Sequence, residues 1–347
     1  MRVGVFDPYL KTIGGGERYV LTIASYLSSR GEVDVFGGDK AIKREMSARL
    51  NLDLKKVNFG KKLLKFPQRV FRLPSYDLFF YVTDGSFFWP LAKKNIVVIQ
   101  SPDTLRLSSP LDRFKLLFWQ KKICYSQYVA GWLFKRYKVK AEVLFPPVDV
   151  FLFGPLKKKN YILSVGRFAA SPHNKKQDVL ISVFKKMCEE GLSDWKLCLV
   201  GGVDKKGEDF VLNLKRKTKG YPIEILPNLP FAKIKKLYGE AKIYWHAAGF
   251  GEDLEKFPEK AEHFGIATVE AMASGCVPIV FKAGGQMEII KDGENGFFWQ
   301  TLKELEEKTY NLMENEEDLK ELSKHARIRS RDFSQERFYQ KIEKIIK

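Results

Sequence analysis

Residues 262–278 read Glu262-His263-Phe264-Gly265-Ile266-Ala267-Thr268-Val269-Glu270-Ala271-Met272-Ala273-Ser274-Gly275-Cys276-Val277-Pro278. The alanine-rich part predicts a helix around Thr268 to Ser274. The apolar run Val277 to Phe281 predicts a strand directly after Gly275. If Gly265-Ile266 opens the helix, its first N–H groups and the positive end of its dipole point at Glu262, ready for phosphate or sugar hydroxyls. Glu270 then lies early in the same helix. Two carboxylates near one helix start accept hydrogen bonds from vicinal diols, whereas an acid pair built for hydrolysis also needs room for a positioned water.

Outward from this stretch, short β-branched or aromatic runs alternate with helix-length amphipathic segments in both halves, the pattern of parallel sheets wound with helices. The first half predicts strands at Arg2 to Phe6, Val33 to Phe36, Leu78 to Val82, Ile96 to Gln100 and Ile123 to Ser126, with helices including Thr22 to Ser29 and Val129 to Tyr137. The run Leu144-Phe145-Pro146-Pro147-Val148-Asp149 continues neither element and reads as the interdomain linker. Beyond it the alternation restarts, with strands at Tyr161 to Val165, Trp195 to Val200, Ile223 to Leu226, Ile243 to His246 and Val277 to Phe281. The expected architecture is α/β: two doubly wound Rossmann-like domains, 1–150 and 151–325, facing across a cleft. A terminal helix, 326–347, is expected to pack back on the first domain. Ligands of such sheets sit at the carboxyl ends of the strands.

With 347 residues and 45% hydrophobic content the chain can bury two ordinary cores. No apolar run approaches the roughly 20 residues that span a bilayer, and the start lacks the pattern of a secretory signal, so a cytoplasmic protein is expected. The four cysteines, Cys124, Cys188, Cys198 and Cys276, stand singly, which points away from a disulfide framework or a zinc site. No His-x-x-x-His or Asp-x-Asp pattern suggests a catalytic metal, and none is expected. Of the formal charge of +18, +13 belongs to residues 1–155, a field that attracts polyanions without naming one.

The pattern Glu-x7-Glu, with Phe264-Gly265 inside and Ala271-Met272-Ala273-Ser274-Gly275-Cys276-Val277-Pro278 after it, resembles the retaining GT-B glycosyltransferases of family 4. Gly14-Gly15-Gly16-Glu17-Arg18 is similar to that family's glycine-rich first loop. Val165-Gly166-Arg167 followed by Lys175-Lys176-Gln177-Asp178 is similar to its Gly-Arg…Lys phosphate pair. Ala283-Gly284-Gly285 and Asp292-Gly293-Glu294-Asn295-Gly296-Phe297 keep the family's order, so the likeness covers essentially the whole chain.

The resemblance implies that Glu262 contacts the donor sugar and Glu270 the nucleotide ribose, with Phe264, Gly265 and Ile266 lining the donor site. Arg167 and Lys175 would neutralise the diphosphate, and Lys176 is the alternative to Lys175. Fixed cations there stabilise a leaving group that gains negative charge as the glycosidic bond breaks. Gly15, Gly16 and Gly166 permit close backbone approach to the ligand. Asn228 and Leu229, near Gly201-Gly202, are expected at the base pocket. Gln100 stands where many relatives carry a histidine; it donates a hydrogen bond but does not shuttle protons near neutrality. His263 adjoins Glu262 and is the candidate to orient it; His246, at the end of its strand beside Ala247-Ala248-Gly249, is a candidate supporting group behind the site. Glu-His-Phe-Gly together with Gly-Gly-Gly-Glu-Arg is similar to the dolichol-pathway α-1,2-mannosyltransferases, which implies GDP-mannose as donor, no other cofactor, and a glycan or lipid-linked acceptor. A UDP-sugar donor stays open. A GT-B sugar phosphorylase or nucleotide-sugar epimerase would share the fold and the cations. A nucleic-acid-binding protein would account for the charge, although no nucleic-acid-binding motif is present and no nucleic-acid partner is expected.

A further expectation is a membrane-docking face in the first domain. Lys55, Lys56, Lys61, Lys62, Lys65, Arg69 and Arg72 are interleaved with Val57, Phe59, Leu63, Leu64, Phe66, Val70 and Phe71, a composition suited to an anionic interface.

Overall fold

The computed structural model describes residues 1–347 except 11–14, 62–67, 106–108 and 171–173, together with the side chains of Arg49, Lys61 and Gln68. Gly14 of the glycine-rich stretch and residues 62–67 of the basic-apolar cluster therefore lie outside the described residues. The chain divides into two compact units: Met1–Pro147 with Glu336–Lys347, and Val148–Gln335. Position 325, the boundary expected from sequence, falls inside the helix Glu316–Ser330.

The first unit is a parallel sheet of seven strands: β1 Arg2–Phe6, β2 Glu32–Phe36, β3 Val57–Lys61, β4 Leu78–Val82, β5 Lys94–Ile99, β6 Lys121–Cys124 and β7 Glu142–Val143, in the order β3-β2-β1-β4-β5-β6-β7. Near-continuous apolar runs such as Leu78–Val82 suit strands buried on both faces by crossover helices. Alternation divides the sheet cleanly. Val3, Val5, Phe80, Val82, Ile96, Val98 and Ile123 face one core, which also holds the helix Gly15–Leu27 and Phe338, Ile342 and Ile345 of the C-terminal helix Gln335–Ile346. Phe79, Tyr81, Val97, Ile99 and Cys124 face the other. Within this unit the C-terminal helix is pinned by stacking of Tyr339 on Tyr26 at 4.2 Å and by Lys94 Nζ donating to the Ile346 carbonyl at 3.0 Å.

Two expectations shift here. The helix of which Thr22 to Ser29 reads as a part runs Gly15–Leu27, so Gly15 and Gly16 form its first turn instead of a loop. The strand expected to reach Ser126 stops at Cys124, because Ser126 caps the helix Gln127–Tyr137 by accepting from the Val129 N–H. In the basic-apolar cluster, Val57 is buried on β3 and Phe59 packs against the core, so these two apolar residues serve the fold. Phe71 is exposed.

The second unit is a parallel sheet of six strands: β8 Lys159–Val165, β9 Lys196–Gly201, β10 Ile223–Pro227, β11 Ala241–His246, β12 Val277–Phe281 and β13 Phe297–Trp299, in the order β10-β9-β8-β11-β12-β13. Both units are thus doubly wound Rossmann-like domains. In the second, the strand order reverses between β8 and β11, the switch point at which a crevice opens outside the carboxyl ends. Trp245 and Trp299 anchor its core with satisfied indole N–H groups, donating to Thr309 Oγ1 and to the His246 carbonyl, both at 3.1 Å. Among the described residues, no helix is long and apolar enough to cross a membrane.

Candidate functional site

At the switch point of the second unit, β8 delivers Gly166 and Arg167, and β11 delivers His246. Glycine at 166 is dictated by packing: a Cβ there would lie 2.8 Å from Lys175 Cγ. A Cβ on Gly201, at the end of β9, would fall 1.9 Å from the Gly166 carbonyl oxygen. The turn is held from below by buried Gln177, whose amide donates to the Arg167 carbonyl at 3.1 Å. Arg167 itself is exposed.

Lys175 Nζ donates to Glu262 Oε2 at 2.7 Å, and His246 Nε2 lies 3.1 Å from the same oxygen. Burial pushes the Glu262 carboxyl up, but the Lys175 ammonium and the His246 hydrogen bond outweigh it and hold the group well below the usual carboxylate range. Burial in turn lowers the His246 imidazole despite its carboxylate partner. The imidazole is therefore neutral near pH 7 and donates Nε2–H to the carboxylate. Lys176 turns away from this group: its Nζ bonds Glu252 at 2.6 Å. Between the two lysines left open by the sequence, Lys175 is the one beside Glu262. Between the two histidines it is His246 that contacts the carboxylate, while His263 Nε2 lies 3.1 Å from the Glu259 carbonyl.

The backbone around Glu262 is clamped by glycines. Gly285 N–H donates to the Glu262 carbonyl at 2.7 Å, and Gly284, at φ 62°, would place a Cβ 2.1 Å from that carbonyl. Gly265, at φ 123°, opens the helix Ile266–Ala273, where Gln286 Nε2 would leave only 2.6 Å for a Cβ. Gln286 also bonds Thr268 Oγ1 at 2.9 Å, so a buried amide locks the helix start. The first N–H groups of that helix lack intrahelical acceptors by geometry. Phe264 is buried beside Phe333, with ring centroids 5.5 Å apart. Glu270, half-buried, accepts from the hydroxyl of fully buried Tyr238 at 3.1 Å.

Asn228, at φ 52°, spends its amide on the loop after β9: Oδ1 accepts from Val203 N–H at 3.0 Å and Nδ2 donates to the Val203 carbonyl at 3.1 Å. Its side chain positions the turn that Leu229 follows. Gln177, Gln286 and Tyr238 were not singled out from the sequence. Gln177 stands inside the quoted Lys175–Asp178 stretch and Gln286 follows Gly285, whereas Tyr238 meets Glu270 only in space and no sequence signal marks it. Gly15 and Gly16 belong to the first unit, where a Cβ on Gly16 would lie 2.6 Å from Gln100 Nε2. Among the described residues, no group of three or more His, Cys, Asp or Glu side chains is placed to hold a metal ion. A hollow of about 740 Å³ lined by Asn160, Trp195 and Tyr310 opens at the amino ends of β8 and β9, away from this chemistry.

Residues 151–329, just over half the chain, match the family model described as "Glycosyl transferases group 1". Similar curated proteins include the GDP-Man:Man(3)GlcNAc(2)-PP-Dol alpha-1,2-mannosyltransferase of Dictyostelium discoideum, 29% identical over 230 residues, or 61% of this chain and 43% of that protein. The human protein of that name is 27% identical over 214 residues, 56% of this chain and 41% of its own. An uncharacterized glycosyltransferase of Methanocaldococcus jannaschii is 29% identical over 227 residues, 65% and 58%. The chain spans less than two thirds of the length of these relatives. Among solved structures, Anabaena Alr3699/HepE in complex with UDP and glucose superposes with a TM-score of 0.75 at 20% identity, covering 100% of this chain and 99% of that one. A glycosyltransferase from Rickettsia africae gives 0.76 at 18%, covering 99% and 97%. At such identities the likeness is one of fold, and it is the two-domain GT-B fold expected from the sequence.

Proposed function

The chain belongs to the glycosyl transferases group 1 family, and on that premise we propose that it is a nucleotide-sugar-dependent glycosyltransferase of the retaining family 4 type. In this reading it moves mannose from GDP-mannose to a glycan or lipid-linked acceptor. The observation that carries it is the Lys175–Glu262–His246 chain at the switch point of the second unit, beside Gly166-Arg167 and the N-terminus of Ile266–Ala273. The second unit is the nucleotide-sugar domain in this reading, and the first is the acceptor domain.

Arg167 and Lys175 face the diphosphate and stabilise the charge it gains as the glycosidic bond breaks. Glu262, ionised, accepts hydrogen bonds from donor hydroxyls. His246 fixes the carboxylate's orientation as a neutral donor. Glu270 accepts from the ribose diol while Tyr238 holds it in place. With retention, the acceptor hydroxyl attacks on the face the nucleotide leaves, and the departing phosphate takes its proton. No protein nucleophile is called for, and charge neutralisation by the two cations calls for no metal. GDP-mannose is favoured by the names of the relatives; the UDP complex of the Anabaena protein makes a UDP-sugar the alternative.

A thermal-shift panel of GDP, UDP, ADP and their sugar derivatives tests the donor. A ligand at 100 times its Kd adds about 2.7 kcal/mol to stability, a shift easily read. No shift with any of them would count against the whole reading. Glu270→Ala should weaken nucleotide binding about 100-fold, the loss of two charge-assisted hydrogen bonds of about 1.5 kcal/mol each. Unchanged nucleotide affinity would remove Glu270 from the ribose.

Peripheral binding to an anionic membrane belongs to the same proposal, and its support comes from a surface of the first unit. The helix Pro110–Leu117 leaves Leu111, Phe114 and Leu117 exposed, Leu117 at 72%. Trp89, Phe114 and Phe118, also exposed, form edge-to-face pairs 5.1–6.0 Å apart. Arg113, Lys138 and Lys140 line a 610 Å³ cavity together with Phe114 and Leu117. Apolar side chains rimmed by cations match an anionic bilayer, with about 1 kcal/mol per basic group near the surface and about 1.5–3 kcal/mol per buried large apolar side chain. Co-sedimentation with phosphatidylglycerol-containing vesicles should exceed that with phosphatidylcholine alone and weaken with salt. Phe114→Ser with Leu117→Ser should cut it at least tenfold. Equal binding by the double variant would leave the patch without this role.

A further inference from the structure

Two surface features lie outside the donor chemistry, one on each unit, and they are complementary. On the second unit, the hollow of about 740 Å³ at the amino ends of β8 and β9 continues into another of about 570 Å³, the two sharing Glu307 and Tyr310. Together they form a groove between the helices Gln177–Glu189 and Leu302–Glu314. The residues that line it run from Leu302 to Glu314, about 18 Å by the rise of an α-helix. One end is apolar, with Val183, Leu302 and Tyr310. The other is acidic: Glu190, Asp194, Glu307 and Glu314 line the larger hollow, and among the described residues no cation joins them there. Lys186 pairs with Glu190 at 3.3 Å and with Glu306 at 2.8 Å, and Lys303 pairs with Glu307 at 3.5 Å. Asp194 and Glu314 keep no basic partner among the described residues. On a chain of net charge +18 this is a local reversal of sign, and it attracts a basic surface.

On the first unit, the helix Gln127–Tyr137 buries Val129 and Leu133 and turns Gln127, Gly131, Phe134 and Lys135 outward, Phe134 at 48% exposure. Aromatic rings and cations share this surface. Trp132 meets Tyr128 edge-to-face at 6.5 Å, and the Lys135 ammonium and Arg136 guanidinium lie 4.4 and 5.1 Å from the Trp132 ring. Gly131 is the residue the fold does not explain. Glycine weakens a helix interior, and a Cβ at this position would meet nothing within 4 Å. A missing side chain in the middle of an exposed helix face lets another backbone come close.

We propose that the chain self-associates, the helix Gln127–Tyr137 of one copy lying in the groove of another. An amphipathic helix seated between two others is a recurrent mode of recognition. Length and polarity both fit. The helix is 11 residues, about 16 Å, against about 18 Å of groove. Lys135 and Arg136 in its last turn meet Asp194 and Glu314, while Tyr128 and Trp132 lie toward Val183 and Leu302. Gly131 sits where the two backbones approach. The faces are unlike, so two copies close a pair when each fills the other's groove, and otherwise the assembly grows. Neither face includes a donor-site residue, and the inference does not rest on the glycosyltransferase reading.

The test is sedimentation velocity of the full chain over a range of concentrations, at low and high salt. Mass should rise above that of one chain with concentration, and high salt should weaken the association at least tenfold. Gly131→Leu, whose side chain meets no atom of its own chain, should melt at the same temperature or higher and associate at least tenfold more weakly. A merely structural glycine would not separate those two readouts. Asp194→Lys with Glu314→Lys, both exposed and on the other unit, should weaken association as much. Each variant alone should sediment as a single chain. Mixed, they should form pairs, because the first keeps its groove and the second keeps its helix. An unaltered chain that stays single at every concentration would overturn the proposal, also where a lysine-rich peptide binds it, since the groove would then serve a basic partner of another kind. Association that both variants leave intact, or a mixture that stays single, would overturn it as well.

Discussion

Lys175→Met is expected to cut nucleotide-sugar turnover by about 10²- to 10³-fold, the loss that follows removal of one preorganised charge from a transition state. Lys175 has three N–H donors and commits one to Glu262, which leaves two to face a diphosphate. The effect should fall on kcat more than on the donor KM, because the charge on the leaving group grows only as the bond breaks. Stability should respond too. The Lys175 and Glu262 side chains are 24% and 21% exposed, so an orphaned carboxylate there costs less than the 3–5 kcal/mol of a fully buried pair, about 2–3 kcal/mol. The sign with pH is fixed. Glu262 is held below its unfolded value of 4.5, so its stabilisation is present above that pH and is lost as pH falls beneath it. The gap in melting temperature between the two proteins should therefore widen from pH 4 to pH 7. Lys176→Met, which breaks only the contact with Glu252, is the control and should retain most of its turnover. If both variants lose turnover equally, or if Lys175→Met loses less than tenfold while folded, the diphosphate role falls.

The contrast between these two lysines shows where sequence reading stops. Apolar runs such as Leu78–Val82 and Val277–Phe281 are recognisable at their observed bounds because a strand buried on both faces has little compositional freedom. β3, β7 and β13 were not anticipated. They are two to five residues long, lie at or next to sheet edges, and β3 mixes Asn58, Gly60 and Lys61 with its apolar residues. The spacing of Glu262 and Glu270 is legible because the loop-helix step needs Gly265 between them. The choice of Lys175 over Lys176 is not, because it depends on the left-handed turn at Lys176, φ 56°, which sends adjacent side chains to different carboxylates. His246 is hidden for a related reason. It comes from β11 and meets Glu262 from 16 positions away in the chain, whereas the sequence neighbour His263 lies against the Glu259 carbonyl. Close packing recruits partners from separate elements, and no local pattern records them.

Asp7→Asn should make the protein more stable at pH 8 and nearly neutral at pH 4, a sign opposite to the usual loss of a buried carboxylate. Its ordinary value is 3.8 and burial lifts it to about 7. A carboxyl raised in the folded state contributes fully below its unfolded value, and that contribution declines as pH rises toward the folded one, because the folded protein holds the proton more tightly. Above pH 7 the unaltered chain must keep a charge beneath the helix Gly15–Leu27 with one oxygen, Oδ2, unpartnered. Asparagine has the same shape and never ionises, so it avoids that cost. A rise of three pKa units at 1.36 kcal/mol each sets an upper bound of about 4 kcal/mol. Burial near 1% exposure leaves little solvent screening to reduce it. Urea unfolding of both proteins at pH 4, 6 and 8 measures the difference. It should grow steadily with pH, and a difference independent of pH would mean that Asp7 is ionised throughout and that its environment is polar after all.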